Sequence, residues 1–245
     1  MAKFKASKVW QGVVAVGVAG ALFAGGGVAE AKKNANPGVL PPQSNPHGQS
    51  YGDWSAEWWQ WAYSIPFATN PVVDETGEHC TEGQSGSVWF LAGTFGGETA
   101  RTCTIPSGKS LFFPIVNIAC WAPEDLLAWG GNLGMTYDEQ TEVVRECATY
   151  YGDLMDILEV TIDGVPLSNL SAYRAASGTF SVYLSDVIED FGYPPGLRDP
   201  MVSDGYWLML APLTPGPHVI DFVGGISAYP FETHVNYQLT VSPGN

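Results

Sequence analysis

The stretch "YGDWSAEWWQWAYSIP", residues 51–66, constrains the fold more than any other, because it places four of the chain's nine tryptophans within eight positions. At ~100° per residue, Trp54, Trp58, Trp61 and Ile65 fall on one stripe of a helix. Trp59 and Tyr63 form a second ridge roughly 150° around it. One sheet face does not easily cover both ridges. Either the helix is buried on two sides, or one ridge is offered to something outside the domain. Core burial is the commoner fate of large aromatic side chains. Exposure would instead make Trp58, Trp59 and Tyr63 a stacking platform, and these three are the candidate ligand-binding residues. Asp53 is the expected cap of this helix. Glu57 lies beside the first stripe, one turn before Trp61. A carboxylate among indoles can act as an acid if its pKa is raised, or bind a sugar hydroxyl. It can equally sit at a solvated helix margin or accept from a buried indole N–H. Glu57 is the candidate catalytic residue.

The N-terminus addresses the compartment. Lys3, Lys5 and Lys8 precede a short apolar run, "VVAVGVAGALFA", and "VAEA" supplies small residues at Ala29 and Ala31. This is the pattern of a signal peptide over residues 1–31, cleaved after Ala31. The apolar run is well short of the ~20 residues that span a bilayer, so no transmembrane anchor is expected after cleavage. The mature protein is expected to be secreted or periplasmic. Cleavage would remove three Lys and one Glu and move the formal charge from −15 to −17. Such an acidic chain lacks the clustered Lys and Arg that neutralise phosphate backbones, which argues against a nucleic-acid partner.

Cys80, Cys103, Cys120 and Cys147 form an even set in an exported chain and read as two disulfides. Pairing of sequence neighbours, Cys80 with Cys103 and Cys120 with Cys147, is favoured among the three connectivities. Each bridge would contribute on the order of 3 kcal/mol in the chain-entropy model. No CxxC occurs to support a thiolate metal site.

Residues 32–50 are rich in Pro, Asn, Gly and Gln and read as a flexible leader. Residues 51–245 suit a single disulfide-bonded, β-rich domain. Strand signals arrive in series: "SVWFLAGTF", "ARTCTIP", "KSLFFPIVNIAC", "LEVTIDGVPL", "TFSVYL", "GYWLMLAPL", "HVIDFVG" and "ETHVNYQLTV". Pro114, inside an apolar run, suggests a bulge or an edge. Asp163-Gly164 suggests a tight turn, and "TPGP" a hairpin. Between the strand groups, Thr136 and Glu139 make a capping box. The helix that follows would place Val143, Cys147 and Tyr150 on one face and end at Gly152. The fold class is therefore mainly β, a β-sandwich or jelly-roll-like domain with an N-terminal Trp-rich helix and a helical insertion.

Few motifs carry chemistry. "DETGEHCTEG" gathers Asp74, Glu75, Glu78 and Glu82, and converging carboxylates can hold a cation such as calcium. Their spacing is not that of an EF-hand loop, and such charge runs are commonly solvated loops. His218 and His234 are placed to meet only if their strands are neighbours. "SGKS" lacks the first glycine of a phosphate loop, and "GQSGS" lacks the last glycine of a nucleophile elbow.

Three segments, "YGDWSAEWWQWAYSIP", "HCTEGQSGSVWFLAGTFGG" and "RTCTIPSGKSLFFPIVN", resemble a family of exported bacterial proteins with a Trp-rich N-terminal helix. The resemblance runs from about Tyr51 to the C-terminus. It implies export and one compact domain, and it brings with it neither an activity nor a functional residue.

Two functional classes follow. One is an exported, non-catalytic binding or envelope-associated protein that recognises a glycan or an apolar ligand through aromatic side chains. The other is an extracellular hydrolase of a polymer that uses paired carboxylates. They part at Glu57. A pocket holding Glu57 and a second carboxylate favours hydrolysis, and an aromatic surface without them favours binding.

Overall fold

The computed structural model describes Asn36 and residues 38–243, and the expected signal peptide lies outside them. The chain runs through β1 (Val39–Leu40), α1 (Tyr51–Ser64), β2 (Val88–Phe90), β3 (Gly97–Pro106) and β4 (Ser110–Trp121). α2 (Glu124–Ala128) and α3 (Tyr137–Leu154) form the helical insertion. β5 (Ile157–Ile162), β6 (Val165–Pro166), β7 (Phe180–Leu184), β8 (Gly196–Leu210), β9 (Gly216–Ile226) and β10 (Phe231–Ser242) complete it. One sheet has the order β1-β8-β4-β2, with β7 also paired to β8, and the other runs β3-β10-β9-β5-β6. Pairs β2–β4 and β3–β10 are parallel, unlike the strands of an all-antiparallel jelly roll.

The two sheets meet most closely where β4 crosses β9. Phe113 and Phe222 have ring centroids 5.1 Å apart. A Cβ added to Gly224 would sit 2.2 Å from the Ile115 carbonyl oxygen. Only glycine allows the two backbones to approach that far.

Alternation explains the second sheet. Thr233, Val235, Tyr237, Leu239 and Val241 of β10 are buried, as are Thr99, Arg101, Cys103 and Ile105 of β3. β4 is buried almost throughout because α1 and the second sheet cover its two faces. The expected irregularity at Pro114 is present as a register shift between Pro114 and Val116. Asp163 and Gly164 join β5 to β6 with positive φ angles of 51° and 76°, as the two-residue hairpin requires.

α1 is buried on both sides. Its first stripe lies on the first sheet, with Trp58 against Trp207 at 5.6 Å and Trp61 against Phe90 at 5.5 Å. The second ridge continues into the far end of β4 through Tyr63 and Trp121, 6.0 Å apart. The cap is Ser50 rather than Asp53. The Ser50 hydroxyl accepts from the Asp53 N–H, and the Asp53 carboxylate accepts from the Ser50 N–H, so Asp53 is the acidic third residue of a capping box.

Other local expectations change in context. Much of the leader expected over 32–50 is built into the fold: β1 pairs with β8, Tyr51 Oη donates to the Leu40 carbonyl at 2.5 Å, and Trp54 Nε1 donates to the Pro46 carbonyl at 3.0 Å. Polar composition concealed this: Val39 is buried in the core with Leu40 packed against it, and the Leu40 and Pro46 carbonyls accept from side chains of α1. "TPGP" does not close a hairpin, since β8 ends in one sheet and β9 begins in the other. α3 buries Val144, Cys147 and Ala148 and leaves Tyr150 exposed, a face rotated from the expected one, and it continues past Gly152 to Leu154.

Both disulfides, Cys80–Cys103 and Cys120–Cys147, are formed. The second ties α3 to β4 over a small core of Leu126, Val144, Ala148 and Val202. Among the described residues no helix is long and apolar enough to cross a membrane.

Candidate functional site

A cavity of about 250 Å³ opens between α1, β4 and the first residues of β10. The second ridge of α1 supplies Trp59 and Tyr63, and the first supplies Trp58. The irregular part of β4 supplies Pro114 to Ile118, and the end of the same strand supplies Trp121. Gly93, Thr94 and Phe95 come from the segment before β3, Ile188 and Phe191 from a 3₁₀ segment at Asp186–Phe191, and Phe231 and Thr233 from β10. Phe95 and Phe191 have ring centroids 5.5 Å apart and are 36% and 64% exposed, so they mark the mouth where the cavity meets solvent.

The polar groups in this wall are few. Thr94 and Thr233 satisfy one another, with Oγ1 atoms 2.8 Å apart. Three indoles of α1 donate to carbonyls: Trp54 to Pro46, Trp58 to Leu91 at 2.9 Å and Trp61 to Glu82 at 2.9 Å. Trp59 does not. Its Nε1 and the Asn117 Nδ2 are buried donors with no partner among the described residues; both residues line the cavity, but these two atoms are closed off from it. Trp89 and Trp207 also have unpartnered Nε1 atoms, but neither lines it. A buried donor left unmade costs about 1–3 kcal/mol, a cost the fold carries at Trp59 and Asn117.

One end of the cavity is electronegative from behind. Trp121 lines the wall, while its N–H donates to Asp125 Oδ2 and its Nε1 to Glu124 Oε2, both at 3.0 Å. Glu124 is held in turn by Arg198 at 2.9 Å. Burial raises the Asp125 pKa to about 6, the Trp121 N–H opposes it, and the Glu124 charge adds to the rise. Burial, then Asp125 and Tyr193, push the Tyr63 phenol far up. Tyr63 therefore presents a neutral hydroxyl.

A carboxyl whose folded pKa lies above its unfolded value binds its proton more tightly when folded. Its ionisation therefore removes stability as pH rises from about 4 to about 6. Asp125→Asn keeps an acceptor for Trp121 and abolishes that loss. It is expected to raise stability by about 1–2 kcal/mol at pH 7.5 and to change it little at pH 4. Urea midpoints at the two pH values check this, and an equal effect at both would refute it.

Behind the cavity lies Arg101, 2% exposed. Its Nε donates to the Asp74 carbonyl at 2.6 Å and its Nη2 to the Val72 carbonyl at 3.0 Å. Its Nη1 reaches the carbonyls of Ala92 at 2.8 Å and Gly93 at 3.0 Å, and Tyr237 Oη at 3.0 Å. Val72 and Gly93 are wall residues. The guanidinium thus clamps two loops into the shape of the cavity.

The other named residues are elsewhere. Glu57 is half-buried on α1 and does not line the cavity, and among the described residues no carboxylate does. Asp74 is buried, with its oxygens accepting from the N–H groups of Thr76 and His79 and from the Thr76 hydroxyl. Glu75, Glu78 and Glu82 are exposed. Among the described residues no group of three or more His, Cys, Asp or Glu is placed to hold a metal ion. The acidic loop turns its one buried carboxylate to its own backbone. His218 is opposite Leu239 and His234 opposite Val223, so the two do not meet. Each faces its own acid: His218 Nδ1 lies 2.7 Å from Asp163, and His234 Nε2 lies 3.2 Å from Asp221.

Trp58, Trp59 and Tyr63 come together in the cavity wall, but inside the protein rather than on its surface. The sequence reading missed Asn117, Trp121, Tyr193 and Phe231. Asn117 carried a signal, as the one amide in the apolar run "LFFPIVNIAC". The others became neighbours only through folding. No family model matches this chain, nor does any curated protein or solved structure.

Proposed function

We propose that this is an exported binding protein whose ligand is a mainly apolar molecule held in the α1–β4 cavity. The observation that carries this reading is an apolar, aromatic cavity that reaches solvent between Phe95 and Phe191. An apolar cavity of about 150 Å³ already accepts a benzene-sized guest, and this one is larger. A glycan fits less well. Sugars need many polar partners, and the two threonine hydroxyls here are already joined to each other. The two disulfides fit a protein that works in an oxidising compartment.

Gly93 allows a clean test. A Cβ there would meet only Pro114 Cγ, at an ordinary 3.7 Å, so a side chain can start from this wall position without its Cβ striking backbone. The oxidised mature protein is expected to bind the neutral fluorophore N-phenyl-1-naphthylamine at one saturable site. Gly93→Leu is expected to weaken that binding at least tenfold with little change in unfolding temperature. Equal binding by the variant would place the probe elsewhere, and no binding by the parent protein would overturn the proposal.

A further inference from the structure

Eight of the eighteen residues lining the cavity are aromatic, and among the described residues no charged side chain lines it. At the Trp121 end the rings close a corner rather than stack flat. Tyr63 and Trp121 have centroids 6.0 Å apart at 82°, and Trp121 and Tyr193 have centroids 5.3 Å apart at 75°. The charges stand one layer further out. Both N–H groups of Trp121 go to Asp125 and Glu124, neither of which lines the cavity, so what Trp121 offers the cavity is ring carbon. A carboxylate on the indole N–H polarises the ring and makes its face more electron-rich. Arg198 balances Glu124, but among the described residues Asp125 has no basic partner, and with its pKa at about 6 it is charged at neutral pH. The buried cation, Arg101, stands behind other wall residues, Val72 and Gly93. The mouth is acidic too: Phe191 ends a 3₁₀ segment that carries Asp186, Glu189 and Asp190, all exposed.

We propose, resting on the binding reading above, that the ligand is an organic cation with an apolar surface, a quaternary ammonium compound, whose positive centre lies against Tyr63, Trp121 and Tyr193. Electron-rich rings attract such a cation, the more so away from water. Its charge is spread over alkyl groups and it has no N–H to satisfy. That suits a wall whose two threonine hydroxyls are already joined to each other. A primary ammonium would bring three donors to a wall with few acceptors. An anion would meet the Asp125 charge at one end and the acidic segment at the mouth. The charge of the whole chain, −15, has the sign that steers cations towards it.

The test displaces N-phenyl-1-naphthylamine at pH 7.5 with three compounds of similar size and different charge: phenyltrimethylammonium, its neutral isostere tert-butylbenzene, and benzenesulfonate. Phenyltrimethylammonium is expected to bind about tenfold more tightly than tert-butylbenzene, and benzenesulfonate not to displace the probe. Asp125→Asn removes the charge and keeps an acceptor for the Trp121 N–H. It should weaken phenyltrimethylammonium about fivefold and leave tert-butylbenzene unchanged. Tyr193→Leu, at a partly buried position, removes one ring of the corner and should likewise weaken the cation alone. If the probe binds but tert-butylbenzene matches or exceeds phenyltrimethylammonium, or if Asp125→Asn weakens both alike, the cationic ligand is refuted and the apolar-cavity reading stands. If neither the probe nor phenyltrimethylammonium binds, both fall.

Discussion

Arg101→Ala is expected to destabilise the oxidised protein by about 3–5 kcal/mol, the scale observed when a buried charged network loses a member. Among the described residues the guanidinium has no carboxylate partner. Its charge is spread over the carbonyls of Val72, Asp74, Ala92 and Gly93 and the Tyr237 hydroxyl. Truncation releases one desolvated cation, but it also leaves that whole set of acceptors with an empty space where the donors stood. Arg101→Lys should recover little of the loss. An ammonium is a compact charge with three donors and cannot span acceptors set out for a planar fork. Urea unfolding of the three proteins decides the matter, and near-parental stability in the Lys variant would show that charge alone matters. Because Val72 and Gly93 are cavity walls, either variant, if it folds, should also bind N-phenyl-1-naphthylamine more weakly.

Gly224→Val is expected to cost about 3 kcal/mol or more, at the upper end for overpacking. A Cβ at this position would lie 2.2 Å from the Ile115 carbonyl oxygen and 2.7 Å from the Val116 Cβ. The first of these is backbone, so no rotamer change relieves the clash and the two sheets must separate. Ile115 and Val116 also line the cavity, which gives the change a second readout. The urea midpoint should fall and probe affinity should change together. Gly164→Ala, in the β5–β6 turn with open space around it, should cost only the backbone strain of a positive φ and leave probe binding intact. A Gly224 variant that kept both stability and affinity would mean the sheets are not held at that spacing.

The two substitutions share a feature that sequence patterns conceal. In "ETARTCTIP", alternation places Arg101 on the same face as Cys103 and Ile105, yet a lone arginine in a strand reads as solvent-facing until its five acceptors are known. Those acceptors come from loops 8 to 29 residues away and from β10. Gly224, likewise, reads as the end of a strand until β4 is laid across it.

What local chemistry encodes was legible in advance. The helical period of the tryptophans, the capping box at Thr136, the Asp163-Gly164 turn, the disturbance at Pro114 and the pairing of neighbouring cysteines all depend on residues close in sequence, whose geometry is set by φ, ψ and side-chain reach. The β-rich class followed from the same source, through period-two patterning between turns. Long-range partners alone decided the rest. Both ridges of α1 are buried because the first sheet covers one and the far end of β4 meets the other. "TPGP" joins two sheets rather than two strands of one, since a turn signal specifies a reversal and not the pairing that follows it. The cavity joins α1, β4, a 3₁₀ segment and β10, and whether a buried amide such as Asn117 finds a partner depends on which of these elements arrive beside it.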